Sequence, residues 1–314
     1  WIDIDLASAQ LDPHQNFQAH FSRYADWIAA GNHGEMKYLE RGLERRGNPR
    51  LLMPSAESIL CVAIPYTRKE EIDPHALSHR PKFARYLKGP DYHEFLKTKL
   101  DEAFQRLSAR WDGKLDRKLE WKVCVDTSAV LERSWAALSG LGWIGKNTLL
   151  IHPKLGSYIF LGFVLTNLKS GQGPSPLPDY CGRCDRCLSG CPTGAITEPH
   201  HVDSRICISY LTLEKRGVLD PITSPKPDKL GTWVAGCDVC QEVCPFNLKP
   251  VKLDDTWPAT PSTPLLSMDF KTLKALTVEE YTALVQNSSL DRIRYADFMR
   301  NLERAEKNQL NSNP

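Results

Sequence analysis

Cys181-Gly-Arg-Cys184-Asp-Arg-Cys187-Leu-Ser-Gly-Cys191-Pro192 is the stretch on which the reading of this chain turns. Its spacing, C-x₂-C-x₂-C-x₃-C-P, lets one tight loop present three thiolates to a cubane iron–sulfur cluster and sends the fourth to a second cluster. A shorter echo follows in Cys237-Asp-Val-Cys240-Gln-Glu-Val-Cys244-Pro245, one cysteine short of the full run. Cys207, in Arg205-Ile-Cys-Ile-Ser-Tyr210, restores the count. By the exchange of fourth ligands between paired clusters, Cys181, Cys184, Cys187 and Cys244 hold one [4Fe–4S] cluster. Cys191, Cys207, Cys237 and Cys240 hold the other. Paired C-x₂-C knuckles also bind zinc, but the third closely spaced cysteine and the Cys-Pro endings favour iron–sulfur.

The chain has 314 residues and ten cysteines, and only Cys61 and Cys124 lie outside the Cys181–Cys244 region. A disulfide framework would spread over a short secreted chain; local, tightly spaced cysteines in a long one point to metal. Cys61 and Cys124 fall in apolar strand-like segments and read as buried thiols that behave as small hydrophobes. A net charge of +2 gives no global basic field, so a nucleic-acid partner would need a local basic patch. No run approaches the ~18 consecutive apolar residues of a membrane span. The start at Trp1, without a signal-like segment, reads as a trimmed terminus, and a cytoplasmic location is the expectation.

Periodicity divides the rest. Phe17, Phe21, Tyr24 and Ile28 mark a helix over 16–30, and Phe95, Leu100, Phe104 and Leu107 one over 93–110. Strands are expected at 58–66, 122–126, 148–151 and 158–167, with a helix at 130–139. Mixed elements of this kind give an α+β domain. The Gly-, Pro- and Ser-rich Lys169–Asp179 is read as a linker and Trp257–Pro264 as a second break. The expected division is 1–168, a catalytic domain; 169–256, the two-cluster domain; and 257–314, a short helical tail.

Two clusters in one chain relay electrons, so an acceptor should lie against them. The first half has no G-x-G-x-x-G after a strand, hence no dinucleotide fingerprint. It does have Gly140-Leu-Gly142-Trp-Ile-Gly145-Lys146-Asn147-Thr148, a glycine-rich turn suited either to close approach by a large ligand or to a tight helix-to-strand turn.

Val125-Asp126-Thr-Ser-Ala-Val130-Leu-Glu132-Arg133, followed by the glycine-rich turn, resembles epoxyqueuosine reductases, the enzymes that complete queuosine in tRNA. His33-Gly-Glu-Met36, Tyr38-Leu39, Arg85-Tyr86, Asp91-Tyr92-His93, Cys207-Ile-Ser-Tyr-Leu-Thr212, Gly236-Cys-Asp-Val-Cys240 and Ala296-Asp-Phe-Met-Arg-Asn301 match as well. The resemblance implies a cobalamin-binding, nitroreductase-like domain joined to a ferredoxin-like domain. It implies a monomer that reduces epoxyqueuosine at the tRNA wobble position, using cobalamin, two [4Fe–4S] clusters and an electron donor that the sequence does not name. One departure is visible: the family's Asp-Ser-Ala-Pro reads Asp126-Thr127-Ser128-Ala129 here.

Roles follow the matching positions. Asp126 is the expected proton donor to the epoxide oxygen; a strand-end aspartate capping the next helix is its plain alternative. Arg46, Gly145, Lys146, Asn147 and Thr148 are expected at the cofactor, with Ser209 and Asp238 where the cluster domain meets it. Tyr92 and His93 are candidates for the substrate pocket, and Glu132 and Arg133 read as an exposed structural pair. Lys215, Arg216, Arg292, Arg294 and Arg300 are the candidate tRNA phosphate contacts. Two other functions stay open: a reductive dehalogenase-like cobalamin enzyme and a two-cluster electron carrier, the latter leaving the first half without a task.

Overall fold

Ser58–Pro65 and Ile159–Thr166 are eight-residue runs dominated by β-branched, aromatic and leucine side chains, the composition of a strand covered on both faces. They pair antiparallel along their whole length, from Ser58 opposite Thr166 to Pro65 opposite Ile159. This pair is the spine of a four-stranded sheet in the order β1 (Ile2–Asp3), β2 (Ser58–Pro65), β7 (Ile159–Thr166), β4 (Trp121–Cys124). The computed structural model describes residues 1–8, 16–67, 80–112, 116–220, 222, 224–248 and 263–311.

Helices cover both faces. On one face lie the Phe17–Ala29 helix, capped by the Asn16 side chain accepting from the Ala19 amide, and the Glu132–Leu138 helix. Phe17 and Trp135 stack there at 4.4 Å between centroids. On the other face the Tyr92–Trp111 helix lays down Leu96, Leu100 and Phe104, each four residues on. Leu96, rather than Phe95, is the fully buried side chain. A Cβ on Gly162 would come within 2.7 Å of Leu100 Cδ1, so this glycine lets the helix settle on β7.

The second half is built on a different core. β3 (Lys82–Phe83) pairs in parallel with β8 (Trp233–Ala235), and a hairpin joins β5 (Trp143–Ile144) to β6 (Leu150–Ile151). Ala84 and Leu87 pack with Val234 and Ala235, and with Phe298, Leu302 and Ala305 of the Tyr295–Asn311 helix. Asn301 donates from that helix to the carbonyls of Thr212 (2.9 Å) and Val234 (3.0 Å). The expected tail is therefore a structural part of the cluster region. The expected break at 257–264 lies almost wholly outside the described residues. Among the described residues no helix is long and apolar enough to cross a membrane.

Asp238, expected at the cofactor, is instead enclosed at the joint between the halves, with 1% of its surface exposed. Its Oδ2 accepts from the Arg85 backbone N–H at 2.8 Å and from Arg85 Nη1 at 3.1 Å. The same Nη1 reaches Glu242 at 2.8 Å and the Tyr158 hydroxyl at 3.1 Å. Removing the guanidinium leaves the buried Asp238 carboxyl with only the Arg85 N–H and Gln241 Nε2 as donors among the described residues, and no compensating charge. Arg85→Met should lower unfolding stability by about 3–5 kcal/mol, with part recovered in Arg85→Met/Asp238→Asn. A loss below about 1 kcal/mol in urea titration would show the pair to be as weak as a surface one.

Candidate active site and cluster region

The thiols stand in two groups. Burial first, then the neighbouring Cys181, Cys244 and Cys184, push the Cys187 thiol up. Cys244 is raised by burial and by Cys181 and Cys184. In the other group burial raises Cys207 with help from Cys191, and Cys237 with help from Cys240 and Cys207. None is in a disulfide. Thiols so placed would repel each other as thiolates, which is the arrangement that iron neutralises. The couplings also cross between the sets, Cys240 being raised by burial and then by Cys207, Cys191 and Cys187.

The glycine-rich turn is the β5–β6 hairpin, and it serves the cluster loops rather than an open cleft. Lys146 Nζ donates to the carbonyls of Gly182 (2.7 Å) and Cys184 (2.9 Å). Asn147 is buried, and its Nδ2 lies 3.5 Å from the Cys240 carbonyl. A Cβ on Gly145 would collide with Ile151, so that glycine answers to packing. The side chains of Lys146 and Asn147 are thus engaged by segments remote in sequence. Trp143 belongs to the same joint, its Nε1 lying 3.5 Å from Cys181 Sγ. Thr148 differs: its backbone is left-handed (φ 67°) and its carbonyl accepts from Arg133 Nη1 at 2.6 Å.

Asp126 follows β4 in a tight turn. Its φ is +45°, and the Thr127 N–H bonds to the Val125 carbonyl at 2.5 Å, closing a γ-turn of the strained, positive-φ kind. Such a conformation costs about 1–3 kcal/mol and persists where its surroundings enforce it. Two contacts do so. Glu132 Oε1 accepts the Asp126 backbone N–H at 2.6 Å, and Asp126 Oδ2 meets His93 Nε2 at 3.0 Å. The helix-capping alternative fails, because the next helix has no side-chain cap. The exposed-pair reading of Glu132 fails too, because its carboxyl turns back to the Asp126 turn.

His93 owes its place to helix chemistry. Asp91 caps the Tyr92–Trp111 helix by accepting the His93 backbone N–H at 2.9 Å, and the same Oδ1 meets His93 Nδ1 at 2.6 Å. Tyr92 stacks on the imidazole at 4.0 Å and on Phe160 at 4.3 Å. Asp91, His93 and Asp126 thus form a line whose far end, the Asp126 side chain, is 48% exposed. Burial works to raise the Asp126 carboxyl, but the hydrogen bond and charge of His93 outweigh it and hold the pKa below the usual value. Burial works to lower His93, and the two aspartates more than reverse it. Each partner thus favours the charged form of the other.

Tyr38 and Tyr86 stand near this line, and Arg46 and Ser209 lie elsewhere. Burial, with the charge of Glu214, pushes the Tyr38 phenol up to about 12, and both Arg292 and Asp126 act on it. Tyr86 packs edge-on to Tyr92 at 6.4 Å. Arg46 is buried over the Tyr24 ring at 5.8 Å and makes no side-chain hydrogen bond among the described residues. Ser209 is half-buried beside the Cys207 thiol.

Most of the expected tRNA cations are engaged inside the protein. Arg216 donates to the Arg292 carbonyl at 2.7 Å and pairs with Asp297 at 3.5 Å. Arg300 donates to the Leu211 carbonyl at 3.0 Å and to that of Gly217. Lys215 pairs with Glu35, and Arg292 with Glu214. Arg294 is exposed and has no ion pair among the described residues. Arg216 and Arg300 tie the last helix to the cluster domain, and phosphate binding would cost them those bonds.

Comparison with known proteins agrees with this geometry. Residues 46–127 match the family described as epoxyqueuosine reductase QueG, DUF1730, and residues 180–247 match the 4Fe-4S double cluster binding domain. The epoxyqueuosine reductase of Synechococcus sp. (strain RCC307) is 38% identical over 276 residues, spanning 88% of this chain and 81% of its own. That of Synechocystis sp. (strain ATCC 27184 / PCC 6803 / Kazusa) is 38% identical over 284 residues, spanning 90% and 93%. An epoxyqueuosine reductase solved with an epoxyqueuosine-modified tRNA-Tyr stem loop superposes with a TM-score of 0.79 at 30% identity, over 94% of this chain and 75% of that one. The Bacillus subtilis enzyme, solved with its catalytic aspartate loop swung out of the active site, gives 0.77 at 29% identity, over 94% and 75%. With its mixed α/β half, its double-cluster half and relatives 38% identical over 81–93% of their own length, this chain belongs to the epoxyqueuosine reductase family of oxidoreductases.

Proposed function

We propose that this chain reduces epoxyqueuosine to queuosine at the wobble position of tRNA, electrons passing from two [4Fe–4S] clusters to cobalamin and a proton from Asp126. The observation that carries the reading is the Asp91–His93–Asp126 line, which ends in a carboxylate held on a strained turn and open to solvent. Reducing an epoxide to an alkene takes two electrons and two protons and releases water, so a proton source at the leaving oxygen is required. Here the proton rests on His93 and passes through Asp126. Substrate entering beside Asp126 displaces water and raises its affinity for that proton.

Cobalamin, when bound, supplies a metal centre able to place electrons in the epoxide-bearing ring. The residues fit such a group. Arg46 offers an uncommitted buried guanidinium, and Arg133 and Thr148 stand beside the Asp126 turn as donors for amide side chains. Cys191, Cys207, Cys237 and Cys240 hold the nearer cluster, since Cys207 and Cys237 border the same apolar cluster as Met36, and Gly236 lies against Ala84 and Tyr86. The Cys181, Cys184, Cys187 and Cys244 cluster takes electrons from a donor protein. Arg294, exposed and without an ion pair among the described residues, faces the tRNA backbone, whose anticodon base must leave its stack to be reduced.

Three outcomes are expected. Asp126→Asn should slow anaerobic single turnover of epoxyqueuosine-containing tRNA about 100- to 10,000-fold; an unchanged rate would remove the acid role. Cys240→Ser should lower iron from about eight to about four per chain, whereas unchanged iron would contradict the ligand set. Because the folded His93 holds its proton above the ordinary value of 6.5, the single-turnover rate should fall as pH rises through that raised pKa. His93→Phe should be slow and lack that step, and a variant keeping the wild-type profile would exclude the relay.

A further inference from the structure

We infer that Glu132 is a positioning residue whose carboxyl grips the backbone of Asp126 and keeps the acid turned into the site. This rests on the reading of Asp126 as the proton donor, and it assigns to Glu132 a task distinct from proton transfer.

The turn is bracketed by two anchors. Val125 and Val130 are buried at 5% and 6% exposure, while Asp126 and Thr127 between them are exposed. In this short exposed segment between fixed ends Asp126 holds a positive φ, uncommon for any residue but glycine. His93 restrains the side chain alone, and that bond changes with every proton that passes. Among the described residues the main-chain N–H of Asp126 has one partner, Glu132 Oε1 at 2.6 Å. Without it the amide would gain more by turning out to water than by staying in the strained turn.

Glu132 is well placed for this. It opens a helix whose next residues, Ser134 to Leu138, are all buried, so its Cα is fixed by the core while its side chain reaches back. Its carboxylate or its neutral acid can each accept the N–H. Burial, and then the nearby Asp126 charge, push its pKa up to about 8, with Arg133 and His93 drawing it down less strongly. Burial thus favours the less charged form of the carboxyl, and Oε1 accepts the Asp126 N–H in either form. A glutamine has the same reach and the same acceptor; an aspartate is one methylene too short.

The test compares Glu132→Gln, Glu132→Asp and Glu132→Ala in the cluster-containing, cobalamin-loaded enzyme. Hydrogen–deuterium exchange over 125–131 is read beside single-turnover kinetics. Glu132→Ala and Glu132→Asp should speed exchange in that segment and lower the rate constant up to about 100-fold. The tRNA concentration for half-maximal rate should stay within about twofold, as expected when positioning rather than binding is lost. Glu132→Gln should restore both slow exchange and rate. Unaltered exchange in Glu132→Asp, or a Gln variant as impaired as the Asp variant, would overturn the inference. Asp126→Asn separates the two readings: protected 125–131 amides with lost turnover support both. Full turnover in Asp126→Asn would sink the acid role on which this assignment rests. Loosened amides in Glu132→Asp with wild-type turnover would leave the acid role standing and end the positioning role.

Discussion

Asp238 and Arg85 meet at 3.1 Å in a place almost closed to water, and the two halves of the molecule are held in register by that contact. Arg85 belongs to a segment that also adds strand β3 to β8, and Asp238 sits between two cysteines of the inner set. The guanidinium continues to Glu242 and to Tyr158 beside β7. One buried charge thus ties the sheet domain, the cluster loop and the C-terminal core together. An electron path needs that fixity, since cluster and acceptor must keep a constant separation while substrate comes and goes.

The two functional ends of this framework use opposite devices. At the cysteine loops, burial and mutual repulsion make the thiols poor anions until iron pairs with them, so cluster assembly and the order of the loops are coupled. At Asp126 a carboxylate is left partly open to solvent and paired with an imidazole, and the backbone beneath it is bent against its preference. Strain of this sort is found where a side chain must point in one direction at one moment.

How far the sequence alone reveals this follows from where each partner lies. The double-cluster domain was legible, because a cubane binds a loop and its signature is local. The helices at 17–29 and 92–111 and the long strands were legible through period and composition. The setting of the glycine-rich turn was not legible, since Lys146 and Asn147 bond to Gly182, Cys184 and Cys240, far along the chain. Asp238 was placed near the cofactor by its neighbours in sequence, while Arg85, its partner in space, carried no local signal. Glu132 looked like an ordinary helix-start acid, and nothing in a helical pattern shows a side chain reaching back over six residues to an amide. The resemblance to a family located Asp126, but not the proton line behind it, which needed the helix cap at Asp91 to be seen.

The account stands or falls on whether the chain removes one oxygen from a tRNA base with cobalamin as the electron acceptor. The direct measurement is mass analysis of nucleosides from epoxyqueuosine-containing tRNA after anaerobic incubation with the cluster-loaded chain and a strong reductant, with and without cobalamin. Queuosine formed only when cobalamin is present is the predicted result. Equal conversion without cobalamin, or none with both cofactors in place, would contradict it.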